Sequence, residues 1–98
     1  MSAWTALVAL AAEEAQLVAD ERFDDLMELH DRRTALLAAL PRPLPLLAAA
    51  PLRHALATQR ATATVLQARL DALGAELGRL HRGRTGVQGY ARALEVQR

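Results

Sequence analysis

The segment "PRPLP" at residues 41–45 divides the chain into two helical arms. Three prolines in five residues fix the backbone φ angle and remove N–H donors, so a helix cannot continue through this segment. No glycine or proline occurs between Met1 and Leu40. The sequence therefore predicts a first arm at 3–40, a proline turn at 41–45 and a second arm at 46–82, followed by a flexible joint and tail at 83–98.

The second arm carries the most regular apolar pattern in the chain. Its stripe positions alternate steps of four and three: Leu52, Leu56, Gln59, Ala63, Leu66, Leu70, Leu73, Leu77 and Leu80. Such spacing is typical of a coiled-coil-like seam. Pro51 is expected in the first turn of this helix, where a missing N–H costs little. We expect "GRTG" at 83–86 to end the helix and residues 88–97 to form a short last helix.

The first arm has a similar stripe that is interrupted once. The stripe begins with Trp4, Val8, Ala11, Ala15 and Val18, then resumes after one extra residue with Arg22, Leu26, Leu29, Arg33, Leu36 and Leu40. This pattern favours one long helix, capped by Ser2 and kinked around residues 19–24. In the alternative interpretation, Asp20 caps a second helix.

Leucine and alanine dominate the sequence, isoleucine is absent, and only 3% of residues are aromatic. This composition favours helix over sheet. We predict an all-α fold, a single domain over 1–98. Its architecture is an antiparallel helical hairpin or small bundle with two long coiled-coil-like arms and a short C-terminal helix. The apolar band of the first arm is broader than one seam. A third helix from 44–50 or 88–97, another copy or a foreign helix should cover it.

Charge and composition exclude several classes of function. The net charge of +1 combines −5 over residues 1–40 with +6 over residues 41–98. The arginines of the second half lack interleaved aromatic residues for base stacking, so we expect no nucleic-acid partner. No apolar run reaches the length of a membrane span, so we expect a cytoplasmic protein without membrane insertion. The absence of cysteine excludes disulfides and thiolate metal sites.

The acidic stretch at residues 20–31 surrounds His30 but lacks the spacing of a catalytic or metal site. Glu28 and His30 are two residues apart, so they point in different directions on a helix. "GRTGVQG" at 83–89 also lacks the lysine and hydroxyl residue of a phosphate-binding loop. We therefore expect a solvated charged face, and a protein that is not an enzyme and needs no metal or cofactor.

The order of these features resembles the flagellar type III export chaperones of the FlgN/FliT kind. In that family an acidic residue precedes leucines and an arginine at fixed spacing. The matching positions here are Asp24 or Asp25, Leu26, Leu29, Arg33, Leu36, Leu37 and Leu40. "LDALGAELGRLHRG" and the tail "GVQGYAR" extend the resemblance over nearly the whole chain. The second helix departs from many members, because Gln59, Thr62 and Thr64 stand where asparagines are common.

The resemblance implies a cytoplasmic chaperone that binds the amphipathic terminal helix of a flagellar hook-associated or filament-cap protein and prevents premature assembly. The implied assembly is a monomer or a weak homodimer. The implied partner-binding residues are Val18, Leu26, Leu29, Arg33, Leu66, Arg69, Leu70, Leu73, Leu77 and Tyr90. Two alternatives stay open at this point. One is a self-assembling coiled-coil structural protein without a client, and the less favoured one is a nucleic-acid-binding hairpin.

Overall fold

A computed structural model describes the backbone of residues 2–96 and the side chains of residues 2–83. No strand occurs in this part of the chain, so the predicted all-α class is confirmed. The elements in chain order are α1 (Ala3–Ala19), a 3-10 turn (Phe23–Asp25), α2 (Leu26–Ala38), a second 3-10 turn (Leu46–Ala48) and α3 (Ala49–Val96). The chain divides into two compact units, Met1–Leu66 and Gln67–Arg98.

Helix α1 has well-defined caps at both ends. The Ser2 hydroxyl accepts a hydrogen bond from the Thr5 N–H, as its position before the first helical residue predicted. At the other end, Glu21 has a left-handed φ of 58°. Its N–H donates to the Val18 carbonyl, and the N–H of Arg22 donates to the Leu17 carbonyl. These two bonds form a Schellman motif, which ends the helix and turns the chain.

The structure therefore replaces the single helix predicted over 3–40 with two helices. Asp20 is the C-cap of α1, whereas the alternative interpretation made it the N-cap of a second helix. The extra residue in the apolar stripe near position 20 marks this turn. Sequence reasoning read it as a kink because both a kink and a turn preserve the helical period on either side.

Helix α2 folds back antiparallel to α1, and side chains of the two helices contact each other along the interface. Leu10, Leu17 and Leu29 form one buried cluster, against which Leu26 and Leu36 pack. Two ion pairs, each joining residues 19 apart in sequence, link the same helices: Glu13 with Arg32 and Glu14 with Arg33. A helical hairpin with its turn at residues 20–25 brings these positions opposite each other.

The backbone leaves the helical conformation between α2 and α3, where the prolines predicted a break. Pro51 lies in the first turn of α3, as expected. The first turns of α3 supply the third side of the core of the first unit. Ala55 is buried with Leu7 and Ala11, and the half-buried residues packed on this cluster are Val8, Leu36, Leu40 and Leu52.

The structure differs from the sequence prediction at the end of the second arm. The predicted joint at 83–86 does not interrupt α3, which continues as helix to Val96. No glycine of the described chain has a positive φ, so these glycines are accommodated in helical backbone. Glycine lowers helix propensity by about 1 kcal/mol but does not forbid helix, which is why the composition alone was misleading.

Candidate partner-binding surface

Four leucines of the second unit form an exposed apolar stripe on one face of α3. Leu70, Leu73, Leu77 and Leu80 follow steps of three and four, which place them on neighbouring turns of the same helical face. Between 52% and 65% of each side chain is exposed. We call these four residues the leucine stripe. A heptad seam normally faces another helix, so the leucine stripe is a surface that fits a partner helix.

Charged residues border the leucine stripe on one side. Arg69 and Glu76 each directly precede a stripe leucine and occupy equivalent heptad positions. Flanking charges of this kind determine partner choice and register in helical seams. The opposite signs of Arg69 and Glu76 would favour a partner helix with complementary charges in one register and disfavour it in others.

On the other side of the leucine stripe, Gly74 and Gly78 of α3 have no side chains. A Cβ built on Gly74 would meet no atom within 4 Å, and one built on Gly78 would meet only the flexible tip of Arg82 at 3.4 Å. Packing within the described chain therefore does not require glycine at either position. The surface of α3 beside the leucine stripe is therefore shallow at these two positions, and a partner helix could approach the backbone there.

The structure places the predicted partner-binding residues in three different environments. Leu70, Leu73 and Leu77 are exposed, while Leu66 and Arg69 are half-buried. Val18 and Leu29 are fully buried in the first unit, and Leu26 packs against the Leu29 cluster. The Tyr90 side chain lies outside the described residues.

Val18, Leu29 and Arg33 make contacts within the first unit of the free chain, and their assignment as partner contacts stays a prediction. The first two belong to the core between helices, and the Arg33 guanidinium binds Glu14 of the same chain. The sequence could not separate these positions from the leucine stripe, since an apolar helical stripe has the same period whether it faces its own chain or a partner.

Sequence reasoning missed Glu13 and Glu14, which organise the charged residues of the first unit. The Arg32 Nη2 donates a hydrogen bond to Glu13 Oε1 at 2.6 Å, across from α2 to α1. The hydrogen bond to Glu13 is the main reason that the pKa of Arg32 is raised, and the Glu28 charge adds to it. Sequence spacing did not indicate either pair, because the partners lie on two helices that only the turn at residues 20–25 brings together.

The acidic stretch forms no metal site in the described part of the chain. No group of three or more histidine and acidic residues there has an arrangement that could hold a metal ion. Asp25 pairs with Arg22, and the other carboxylates follow the exposed surface of the turn and of α2. None of the described helices is long and apolar enough to cross a bilayer.

Most of the chain matches the model of a known protein family. The family model described as "Flagellar protein FliT" matches residues 1–92, nearly the whole chain. The chain belongs to the FliT family. This is a family of flagellar export chaperones, not of enzymes, which confirms the resemblance drawn from the leucine and arginine spacing. The comparisons with curated proteins and with solved structures gave no match.

Proposed function

We propose that this FliT-family chain is a cytoplasmic export chaperone for a hook-associated or filament-cap protein of the flagellum. Its leucine stripe binds the amphipathic terminal helix of that client. The observation that carries the proposal is the row of four exposed leucines at seam spacing in a chain of this family. Binding removes the apolar face of the client helix from water and keeps it from pairing with other subunits before export.

The free energy gained by burying the leucine stripe shows whether the stripe alone can hold a partner helix. Burying the exposed part of each leucine contributes roughly 1 kcal/mol. Four leucines therefore contribute about 4 kcal/mol, which is at the lower end of the cost of association. A stable complex needs further contacts, and the charges of Arg69 and Glu76 beside the stripe are suited to supply some of them.

The direct test is binding of client peptides to the full chain, measured by calorimetry. The peptides are the terminal segments of the hook-associated and cap proteins of the same flagellar system. We expect a 1:1 complex with one of them. Leu73→Ala and Leu77→Ala should each weaken it about fivefold, because up to roughly 1 kcal/mol of apolar burial is lost.

Leu44→Ala is the matched control, since Leu44 is exposed to nearly the same extent as Leu73 but lies in the link before α3. It should leave the affinity unchanged. Equal loss in the Leu44 and Leu73 variants, or no complex with any axial protein segment, would refute the proposal.

The same exposed seam also fits a second copy of the chain, which keeps the self-assembling coiled coil as the second candidate. Sedimentation velocity of the free chain separates the two functions. A chaperone should sediment as a monomer or weak dimer that becomes a 1:1 complex when the client peptide is added. A tight oligomer that Leu73→Ala dissociates, and that ignores every client peptide, would favour the client-free coil.

A further inference from the structure

Two adjacent leucines in the 3-10 turn before α3 project into solvent. Leu46 is 95% exposed and Leu47 is 80% exposed, the two largest values among the large apolar side chains that the structure describes. The next residue, Ala48, is fully buried, and its N–H donates to the Pro45 carbonyl at 3.0 Å. The buried alanine anchors the turn, so both leucines are held outward.

The surroundings of these two leucines are cationic. Ala50 and Arg53 follow Leu46 by four and seven residues, and His54 follows Leu47 by seven. All of these residues are exposed, and so is Arg42 just before the turn. No aspartate or glutamate occurs anywhere in residues 32–70. The exposed leucine pair therefore lies in a basic surface without nearby acidic residues in sequence.

In the first unit, the acidic residues lie at one end and the exposed leucine pair lies at the other. All eight acidic residues of the unit lie between 13 and 31, on the second half of α1, the following turn and the start of α2. Leu7, Leu40 and Leu52 belong to one packed cluster. The start of α1, the end of α2 and the start of α3 thus meet at the end opposite the acidic turn. This end has no acidic residue, and it also carries the half-exposed Trp4.

We propose that this acid-free end makes a peripheral contact with an anionic lipid surface. Leu46 and Leu47 insert at the interface, and Arg42 and Arg53 bind lipid phosphates. A lipid interface fits these features because the leucines form a convex projection, and because the cations around them are spread over the surface. The acidic turn at the opposite end would be repelled by the same surface, which orients the chain.

This contact is expected to be weak and reversible. Partial burial of two leucines raises partitioning by roughly thirtyfold or more. Each arginine near an anionic surface raises it by about fivefold, an effect that salt screens. The contact involves neither the leucine stripe nor the client, so it stands independently of the function proposed above.

The test measures binding of the full chain to vesicles by flotation and by the fluorescence of Trp4, the only tryptophan in the chain. One set of vesicles is phosphatidylcholine alone, and the other contains about 30 mol% phosphatidylglycerol as the anionic lipid. We expect flotation and a blue-shifted Trp4 emission with the anionic vesicles only, both decreasing as salt is raised.

Leu46→Ser combined with Leu47→Ser should lower partitioning at least about thirtyfold. Arg42→Gln should lower it about fivefold. Since all three residues are exposed, the helical circular dichroism spectrum should not change. Met27→Ser is the control, because Met27 is an exposed apolar residue on the first turn of α2, at the acidic end. It should bind like the wild type.

Three results would overturn the proposal. One is absence of flotation with anionic vesicles, which would leave an acidic protein groove as the occupant of this surface. The second is equal binding to phosphatidylcholine alone. The third is equal loss of binding in the Met27 and leucine variants.

Discussion

Arg33 donates two hydrogen bonds to the carboxylate of Glu14, 19 residues earlier in the chain. The Nη1–Oε2 distance is 3.0 Å and the Nη2–Oε1 distance is 2.8 Å. Only 11% of the Arg33 side chain and 17% of the Glu14 side chain are exposed. A paired fork of this kind fixes the register of α2 on α1, because neither charge can leave the other without losing its hydrogen bonds in a dry site.

We predict that Arg33→Gln or Glu14→Gln alone lowers the free energy of unfolding by about 2–4 kcal/mol, since one charge is left in a largely buried site. The double variant should cost less than the sum of the two. Urea unfolding of all three variants measures this coupling.

Arg32→Gln provides the matched comparison. Arg32 pairs with Glu13 in the same register, but 47% of each side chain is exposed. Its loss should destabilise the chain much less than the loss of Arg33, because solvent and salt screen an exposed ion pair. If the Arg32 and Arg33 variants were equally stable, the buried pair would not hold the hairpin.

Leu29 is a fully buried core residue, so its truncation should destabilise the fold. Its side chain has 0% exposure at the centre of the cluster with Leu10 and Leu17. Leu29→Ala should therefore lower the free energy of unfolding by about 2–5 kcal/mol, through lost burial and the cavity left behind. Thermal unfolding followed by circular dichroism tests this.

Met27→Ala, two residues away and 71% exposed, should change the unfolding free energy by no more than about 0.5 kcal/mol. A Leu29 variant that kept full stability but lost client binding would contradict the assignment of Leu29 to the core and return it to the partner surface.

Glu21 occupies a backbone conformation that suits glycine. Its φ of 58° closes the Schellman motif after α1. Glu21→Val should destabilise the chain by about 1–2 kcal/mol, because a β-branched residue fits the left-handed region poorly. Glu21→Gly should retain or slightly raise stability. Chemical unfolding measures the free energy of unfolding of both variants. Equal values for the valine and glycine variants would contradict this prediction.

Gly74 lies within α3 with open space around it. Gly74→Ala should stabilise the helix by about 0.5–1 kcal/mol and raise the helical signal in circular dichroism. The reverse exchange at the neighbouring exposed position, Ala75→Gly, should lower the signal by a similar amount. A decrease for Gly74→Ala would mean that the absence of a side chain is needed within the chain itself.

Much of the helical architecture was readable in the sequence. Leucine and alanine composition predicted an all-α chain, Ser2 predicted the start of α1, and "PRPLP" predicted the break before α3. These features act locally, through propensity, capping and the loss of N–H donors, so they need no knowledge of distant residues. The leucine and arginine spacing also predicted the family, since it is a pattern of the sequence itself.

The turn between α1 and α2 and the burial of individual leucines were determined only by the tertiary structure. Glu21 adopts the conformation that glycine usually supplies, so the turn that separates α1 from α2 had no glycine to announce it. Leu29 and Leu73 have the same chemical character and the same seven-residue periodicity, yet one is fully buried and the other is half-exposed. Periodicity predicts which face of a helix is apolar. What covers that face is decided by where the chain turns back, and the antiparallel contact of α1 with α2 covers Leu29 while leaving Leu73 exposed.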